Sequence, residues 1–383
     1  MKKVLPVAAL ISVCSMSAQA QSSVTLYGLI DNGITYTSNQ GGHSTWQETS
    51  GNINGSRWGL RGAEDLGGGL KAIFTLESGY NMNSGTLGQN GRMFGRQAFV
   101  GLSSASYGGF TLGRQYDSVV DYLAPLSLTG TSIGGTYFAH PFDNDNLDNS
   151  LRINNSIKYT SVNYGGLKFG ALYGFSNSTS FENNRAYSFG TSYTYGGLSV
   201  AAGYLQFNND MSDLALSATG SGAETGTYTF AAGVQRTFGA GVNYTVGPVI
   251  AGFVYTQTDL GDAAGGSVSP GQSGTASGLV IHGDSARLQN FEGNLRYSLT
   301  PEITLAGAYT YTRSNFGGGV SPDFNQVSMY ADYAFSKRTD LFLLGEYQHV
   351  SSNPEITAYL NALSAASATR SQVAVTAGIR HRF

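Results

Sequence analysis

Cysteine, proline and long apolar runs are all scarce in this chain. The 383 residues include one cysteine, Cys14, and eight prolines. No uninterrupted apolar run of about 18 residues, the length that a spanning helix needs, follows Gln21. A single cysteine excludes a fold held together by internal disulfides. The lack of a long apolar run excludes membrane crossing by a helix in that part of the chain.

The first twenty residues have the features of a secretory signal peptide. Lys2 and Lys3 give a positive start, residues 4–13 are mostly apolar, and residues 17–20 (SAQA) match a small-residue cleavage site. We therefore expect a cleaved signal peptide over residues 1–20 and a mature chain over residues 21–383. Cleavage removes Cys14 and leaves 19 basic against 24 acidic residues, a formal charge of −5. This charge gives no general affinity for nucleic acid.

Glycine and aromatic residues, in contrast, are abundant, with 53 Gly, 24 Tyr and 20 Phe. Only 12% of the residues are charged. The length alone would suit two or three soluble domains. A membrane protein of this composition has one other architecture available, because backbone groups in hydrocarbon must be satisfied internally. That architecture is the closed β-barrel.

The last twelve residues alternate with the period of a β-strand. Val373, Val375, Ala377, Ile379 and Phe383 fall on one face, and the polar residues 372, 376, 380 and 382 fall on the other. A chain that ends on an aromatic residue at the outward phase of its last strand is typical of outer-membrane barrels. We expect Phe383 to act as the signal that the barrel-assembly machinery recognises.

Turn signals divide the rest of the chain into pairs of alternating segments. Short turns rich in Gly, Pro or small polar residues lie at 64–69, 106–109, 163–166, 194–197, 246–248, 300–302 and 336–339. Longer polar connections lie near 38–56, 81–92, 116–151, 176–186, 208–226, 258–287, 313–323 and 351–371. Seven short and eight long connections join sixteen antiparallel strands. This asymmetry predicts short periplasmic turns and long extracellular loops, and sixteen strands leave a water-filled bore.

The facing of side chains also favours an aqueous interior. In residues 303–312 the odd positions are the more apolar set, whereas Lys71, Thr75 and Glu77 share one face of their strand. Basic residues on the lipid face would cost about 2 to 4 kcal/mol near the midplane, so such charges are expected to point inward. Tyrosines near the strand ends, such as Tyr193 and Tyr244, are expected to form the aromatic girdles.

Several long, ordered motifs between Ser22 and Phe383 resemble the general diffusion porins of Gram-negative bacteria, most closely the betaproteobacterial and neisserial type. The motifs are SVTLYG at 23–28, SRWGLRGAEDLGGGLKA at 56–72, FGRQAFVGL at 94–102, LGRQYD at 112–117 and GIRHRF at 378–383. The resemblance implies a homotrimer of sixteen-stranded barrels. It also implies that the third loop folds into the bore and sets its minimum width.

The resemblance further implies a pair of charged rows at the narrowest point. Basic residues are expected on the barrel wall at Arg57, Arg96 and Arg152, with Arg114 beside them, and the acidic side is expected at Asp117 and Asp121 near the start of the third loop. Rings of Arg favour anions, unless the acidic run from Asp143 to Asp148 also lines the bore. The alternative for each arginine is that it pairs with an inward carboxylate and only braces the wall.

The expected function is passive diffusion of small hydrophilic solutes and ions through an outer-membrane channel. The expected partners are outer-membrane lipid and lipopolysaccharide, and no cofactor or metal is expected because the five histidines are scattered without metal-ligand spacing. Three alternatives remain: a substrate-selective channel of the same architecture, an outer-membrane barrel hydrolase, and a secreted β-solenoid adhesin. The hydrolase would need an inward His, whereas His381 falls on the outward phase, and the solenoid would need a fixed repeat that the irregular turn spacing lacks.

Overall fold

The computed structural model describes residues 23–208, 222–225, 230, 232–263, 267–268, 281–282, 285–351 and 356–383. The predicted signal peptide, residues 1–20, and Cys14 lie outside the described residues.

Strands make up most of the described chain. They are β1 (Ser23–Gln40), β2 (His43–Ser50), β3 (Arg57–Gly67), β4 (Leu70–Gly79), β5 (Gln97–Ser104), β6 (Gly108–Gln115), β7 (Ile153–Thr160), β8 (Leu167–Gly174), β9 (Arg185–Tyr195), β10 (Leu198–Asn208), β11 (Ala232–Val246), β12 (Val249–Ala263), β13 (Ser267–Val268), β14 (Ile281–His282), β15 (Ala286–Ser298), β16 (Ile303–Asn315), β17 (Asp323–Ala334), β18 (Thr339–Ser351) and β19 (Ser371–Arg382). Each strand of the large sheet pairs antiparallel with its neighbours, and β13 and β14 form a separate two-stranded hairpin.

The sheet closes on itself through β1. One edge of β1 pairs with β19 over residues 29–37, and its other edge pairs with β3 near its start and with β2 near its end. Thus β2 and β3 are two halves of one barrel strand, interrupted at residues 51–56. The barrel therefore has sixteen antiparallel strands, as the turn signals predicted.

The first long connection differs from its prediction. Residues 38–56 were expected to be a polar loop, but β1 continues to Gln40 and turns at Gly41 and Gly42 into β2. Both glycines have positive φ, 60° and 99°, which a residue with a side chain rarely adopts. Tyr36 and Trp46 face each other across the hairpin with ring centroids 5.1 Å apart. Its polar composition concealed this extension, because residues 43–50 (HSTWQETS) show little apolar–polar alternation.

The two faces of the strands have opposite chemistry, as the alternation predicted. On β19, Val375 and Ile379 are exposed on the outside, whereas Gln372, Thr376 and Arg380 are fully buried on the inside. The same phase holds on β16, where Leu305 and Tyr309 point outward. The inward polar side chains are buried because the loops fold back into the barrel against them.

The third loop, residues 116–152, lies inside the barrel. It forms one π-helical turn at Val119–Leu123 and 3-10 turns at Ala124–Leu126, Thr136–Phe138 and Pro141–Asp143. Inward-facing wall groups hold it, as when Glu292 on β15 accepts hydrogen bonds from the Ser127 hydroxyl at 2.6 Å and the Leu128 amide at 2.7 Å. The inward fold of this loop is thus confirmed.

The described part of the last long loop, residues 356–370, packs against the third loop. The Asn361 side-chain amide donates to the carbonyls of Ala139 and His140, both at 3.0 Å. Phe142 stacks on Tyr359 and meets Phe324 edge to face, with centroids 6.1 and 5.8 Å apart. A large apolar cluster of the described residues therefore lies within the barrel, between two loops and strands β11, β12 and β15 to β19.

Of the helical segments that the structure describes, including the four-residue turn Gly88–Gly91, none has the length and apolar character needed to cross a membrane.

Candidate functional site: a cavity between the third loop and the wall

A cavity of about 580 Å³ separates one side of the third loop from the barrel wall. Four charged side chains are among its lining residues: Arg57 and Arg96 from the barrel wall, and Asp148 and Arg152 from the third loop. The cavity thus brings together three of the four arginines that the sequence selected.

Arg57 owes its position to the break in the second barrel strand. The Asp31 carboxylate, buried on β1, accepts hydrogen bonds from the amides of Asn52, Ile53 and Asn54 at 2.9 to 3.0 Å. These bonds fold residues 51–56 away from a regular strand. The chain then re-enters the sheet at Arg57, whose Nε donates to the Gly55 carbonyl at 3.0 Å.

Arg96 is paired with a carboxylate on the wall. Its Nε lies 2.7 Å from Glu77 Oε1, and both side chains are almost fully buried. Tyr27 donates its hydroxyl to the other Glu77 oxygen at 2.9 Å, and Arg96 Nη2 donates to the Tyr116 hydroxyl at 2.8 Å. Arg96 therefore lines the cavity and also braces the wall through an inward carboxylate. Both positions considered for it from the sequence are thus occupied by the same side chain.

Arg152, the last residue of the third loop, packs on the same tyrosine. Its guanidinium lies 5.5 Å from the centre of the Tyr116 ring, a cation–π arrangement. Its Nη2 donates to Asn149 Oδ1 at 2.7 Å, and its Nη1 donates to the Ser150 carbonyl at 3.2 Å. Burial lowers the pKa of Arg152, as does the charge of Arg96, while Tyr116 opposes this. Tyr116 thus holds two like charges side by side at the cavity.

Arg114 lies behind the cavity. Its Nε donates to the Gly95 carbonyl at 2.8 Å, and its Nη1 donates to the Arg152 carbonyl at 3.2 Å and to Asn154 Oδ1 at 2.5 Å. These bonds tie the backbone ahead of Arg96 to the backbone of Arg152. Arg114 therefore braces the wall behind the cavity.

Asp148 is the carboxylate that faces the arginines, and a second carboxylate shapes the loop beneath it. Asp143 Oδ1 accepts from the Asp148 amide at 3.0 Å, and Asp143 Oδ2 accepts from the Ser150 amide at 3.1 Å. Burial, together with the nearby charges of Asp148 and Asp145, raises the pKa of Asp143 well above its ordinary value. Burial also raises the pKa of Asp148, and the charge of Arg152 opposes that rise. Most of the acidic run therefore builds the loop, and Asp148 alone of its carboxylates is among the lining residues described.

The structure places Asp117 and Asp121 away from the position expected for the acidic row. The Asp117 carboxylate is fully buried and accepts from the Val119 amide at 2.7 Å and from Asn146 Nδ2 at 2.6 Å. Asp121 forms an ion pair with Lys158 of β7 at 2.5 Å. Neither is among the residues that line the cavity. The physical reason is that the loop turns at once into a π-helical turn, whose first amides Asp117 caps.

On its other side, the third loop is anchored by a buried histidine. His140 Nδ1 lies 2.6 Å from Asp145 Oδ2, and His140 Nε2 lies 3.0 Å from Glu292 Oε2. A neutral imidazole can donate from only one nitrogen, so two carboxylate partners favour the imidazolium. Burial alone would lower the pKa of His140, but Asp145 and Glu292 raise it to about 10. We call these three residues the anchor cluster.

Sequence reasoning missed Tyr116 and the anchor cluster, and it named Asp148 only as part of an acidic run that could also line the bore. The inward phase of Glu77 was visible in the alternation of β4, and a partner for an inward arginine could have been sought there. The contacts of His140 join residues up to 152 positions apart, in a loop that has no periodicity. No local signal in the sequence indicates them.

Comparison with known proteins supports the resemblance noted in the sequence. Residues 7–354 match the model of the Gram-negative porin family. An outer membrane porin of Bordetella pertussis is 31% identical, and one of Delftia acidovorans is 29% identical, each over all of both chains. Among solved structures, the anion-selective porin from Comamonas acidovorans has a TM-score of 0.71 at 24% identity, with 94% of this chain and 100% of that chain covered. This last likeness concerns the fold.

The family match is consistent with three features of the structure. These are the closed sixteen-stranded barrel, the inward third loop and the charged cavity beside it. The chain belongs to the Gram-negative porin family and is a passive diffusion channel of the outer membrane.

Proposed function

We propose that the cavity between Arg57, Arg96, Arg152 and Asp148 is the narrowest part of the channel and that it favours anions. The observation that carries this proposal is the unequal charge of the lining, with three guanidinium groups and one carboxylate. The anion selectivity named for the Comamonas porin belongs to that protein. For this chain the proposal rests on the charges of its own residues.

The expected preference is mild, because part of the basic charge is already compensated. Glu77 neutralises Arg96 at 2.7 Å, so Arg57 and Arg152 supply the excess. Charges lining a narrow, poorly screened passage act on a passing ion more strongly than they would in bulk water. Their effect should shrink as salt is raised, because the Debye length falls from about 10 Å at 0.1 M to about 3 Å at 1 M.

Planar-bilayer recording across a salt gradient tests this proposal. The purified full chain should give stepwise, ohmic conductance and a zero-current potential of the sign for anion preference at low salt. A cation preference at low salt would contradict the assignment. Absence of conductance steps from correctly folded protein would contradict the channel itself.

The trimer expected from the resemblance is the second part of the proposal. An outward face near the barrel closure carries Glu48, an exposed carboxylate whose hydrogen-bond donor is Asn32 Nδ2 at 2.6 Å. A charge on the lipid face is destabilising, so this face is better explained by cover from another copy. Unheated electrophoresis should give a band of trimer mass, and Glu48→Arg should reduce it, whereas the outward substitution Arg313→Glu should not. A monomeric wild-type protein would contradict trimerisation.

We also propose that Phe383 serves in recognition by the barrel-assembly machinery. Its amide and carbonyl exchange hydrogen bonds of 3.0 Å with Gly28, so the terminal residue completes the closure of the barrel. Its ring remains 43% exposed and covers Gly28. Deletion of Phe383 should sharply lower the heat-modifiable folded form in outer-membrane fractions, and unchanged levels would contradict this role.

The long loops are proposed to face the outside of the cell. Tags near Ser314 should be accessible on intact cells, and tags at Gly196 or Arg338 should be accessible only after permeabilisation. Inverse labelling would contradict this orientation. A second expected outside position, Gly265, lies outside the described residues.

We assign the chain no catalytic role, in keeping with the outward position of His381, whose Nδ1 lies 2.9 Å from Thr339 Oγ1.

A further inference from the structure

Strand β8 is shorter than its two neighbours on the side of the long loops. It ends at Gly174, while β7 and β9 extend further. Part of the fifth long connection, between β10 and β11, takes its place. The Asn154 amide donates to the Ala223 carbonyl at 2.8 Å, and the Ala223 amide donates to the Asn184 carbonyl at 2.9 Å. We call residues 222–225 the strap.

Two asparagine side chains hold the strap in place. Asn155 Nδ2 donates to the Gly222 carbonyl at 2.8 Å. Asn184 exchanges two bonds of 2.8 Å with Glu224, donating to its carbonyl and accepting from its amide. Both asparagines have positive φ, 49° and 51°, a region that asparagine enters more readily than most residues. The strap is also packed, because Ala223 is fully buried in an apolar cluster that includes side chains of the third loop.

The last residue of the strap, Thr225, joins two other elements. Its side chain is buried, and its Oγ1 accepts from Asn154 Nδ2 at 2.8 Å and from Arg92 Nη2 at 3.0 Å. Its carbonyl accepts from the same Arg92 nitrogen at 2.6 Å. Asn154 belongs to β7, and Arg92 belongs to the second long connection. Thr225 therefore ties the fifth connection to both.

Both partners of Thr225 lead directly to the cavity. Asn154 Oδ1 accepts from Arg114 Nη1 at 2.5 Å, and the same nitrogen donates to the Arg152 carbonyl at 3.2 Å. Arg92 Nη1 donates to the Gln89 carbonyl at 3.1 Å, and Gln89 is one of the residues that line the cavity. The hydroxyl of Thr225 is thus connected to two parts of the cavity lining through side-chain hydrogen bonds.

We propose that Thr225 is a positioning residue for the cavity, through which the strap sets the preference of the channel among ions. The inference rests on the proposed function of the cavity. Because the Asn154 amide donates with Nδ2 and accepts with Oδ1, the Thr225 hydroxyl selects the orientation in which Oδ1 faces Arg114. Loss of that hydroxyl leaves a buried donor unpaired, which is costly, so Asn154 rotates and releases Arg114. Arg152 then loses its fixed distance from the ion path, on which its effect on an ion depends.

The zero-current potential of the full chain in a potassium chloride gradient at low salt tests this role. Thr225→Val removes the hydroxyl at almost unchanged volume and should lower the preference for chloride about twofold, with noisier open channels. Thr225→Ser keeps the hydroxyl and should restore the wild-type potential. Thr237→Val is the matched control and should behave as wild type. It also removes a buried threonine hydroxyl, which lies 3.0 Å from that of Thr258 on the neighbouring strand.

A second substitution tests the route from Thr225 to the cavity. Asn154→Leu removes the acceptor of Arg114 directly, so its shift should be at least as large as that of Thr225→Val. Adding Thr225→Val to Asn154→Leu should change the potential no further, because both act on the same bond and the Thr225 carbonyl still holds Arg92. Additive shifts would show that Thr225 does not act through Asn154 and would overturn the proposal.

The remaining outcomes distinguish positioning from a purely structural role. A lower midpoint of urea unfolding in Thr225→Val with an unchanged potential would overturn the proposal, as would an unrestored potential in Thr225→Ser. Arg57→Ser, recorded alongside, separates this inference from the function on which it rests. A shift in Arg57→Ser with none in Thr225→Val would overturn the role of Thr225 alone, and no shift in either would contradict the function proposed for the cavity as well. Should Thr225→Val lower the folded yield, Thr225→Ala removes the same hydroxyl with less bulk.

Discussion

The two sides of the third loop differ in how their charges are compensated. On the side against β15, His140 sits between Asp145 and Glu292, and the same carboxylates accept further bonds from Thr256, Ser127 and Leu128. On the side facing the cavity, three arginines face one carboxylate, and the buried Arg152 Nε has no hydrogen-bond partner among the described residues.

This difference separates positioning from selectivity. A buried ion pair that is fully hydrogen-bonded holds its elements in one arrangement, whereas breaking it leaves an uncompensated charge. An incompletely compensated, partly hydrated row of charges creates a field that a passing ion experiences. The side against β15, which we call the anchored side, fixes where the loop lies. The side facing the cavity, which we call the open side, determines which ions pass most easily.

The anchored side should give the largest effect when it is broken. His140→Ala leaves Asp145 and Glu292 buried without their cationic partner, which costs ~3–5 kcal/mol. The loop should detach in part, with larger and noisier single-channel conductance and a lower midpoint of urea unfolding. His349→Ala, which removes only a peripheral contact to Ser371 at 2.8 Å, is the control and should behave as wild type. Quiet, unchanged channels in His140→Ala would show that the anchor does not hold the loop.

High pH should weaken the same anchor without mutation. The pKa of His140 rises from its ordinary value of 6.5 to about 10, so its contribution is complete below pH 6.5 and is lost as the pH rises to about 10. Burial would raise the pKa of Asp145, but His140 lowers it below its ordinary 3.8, so this contribution is lost only as the pH falls below that value. The carboxyl group of Glu346 on β18 also lies near His140. Open-channel noise should therefore rise towards pH 10 in the wild type, and His140→Ala should lack this rise. The same pH dependence in both proteins would assign it elsewhere.

On the open side, Arg96→Ser should have a larger effect than Arg57→Ser. Removing Arg96 leaves Glu77 buried near the cavity without its partner, so one positive charge is lost and one negative charge is uncovered. Zero-current potentials at low salt should shift towards cations in both variants, and further in Arg96→Ser. Arg96→Ser should also unfold at lower urea concentration. Equal shifts would mean that Glu77 remains screened from the passage.

The alternation of side chains predicted much of this architecture but little of its interior. Period two placed the outward residues of β16 and β19 correctly, and Gly, Pro and small polar residues predicted the turns, since both are local properties of the backbone. Arg57, Arg96 and Arg152 could be selected because the motifs that contain them resemble those of the porin family. Asp148 was named only within an acidic run and His140 was not selected, because a loop without periodicity is placed by contacts with distant strands. The lack of periodicity also explains why Asp117 was predicted on the open side, although it caps a helical turn within the loop.

The smallest expected effect is also the most direct test of the central claim, that Asp148 and not Asp121 faces the arginine row. The measurement is the zero-current potential in a potassium chloride gradient at low salt for the wild type, Asp148→Asn and Asp121→Asn. A unit charge about 8 Å from an ion in water changes the energy of that ion by about 0.5 kcal/mol, so at about pH 8, above the pKa of about 7 to which burial raises Asp148, Asp148→Asn should raise the preference for chloride about twofold. Asp121→Asn, whose charge is paired with Lys158, should leave the potential near that of the wild type. A shift in Asp121→Asn with none in Asp148→Asn would contradict the account.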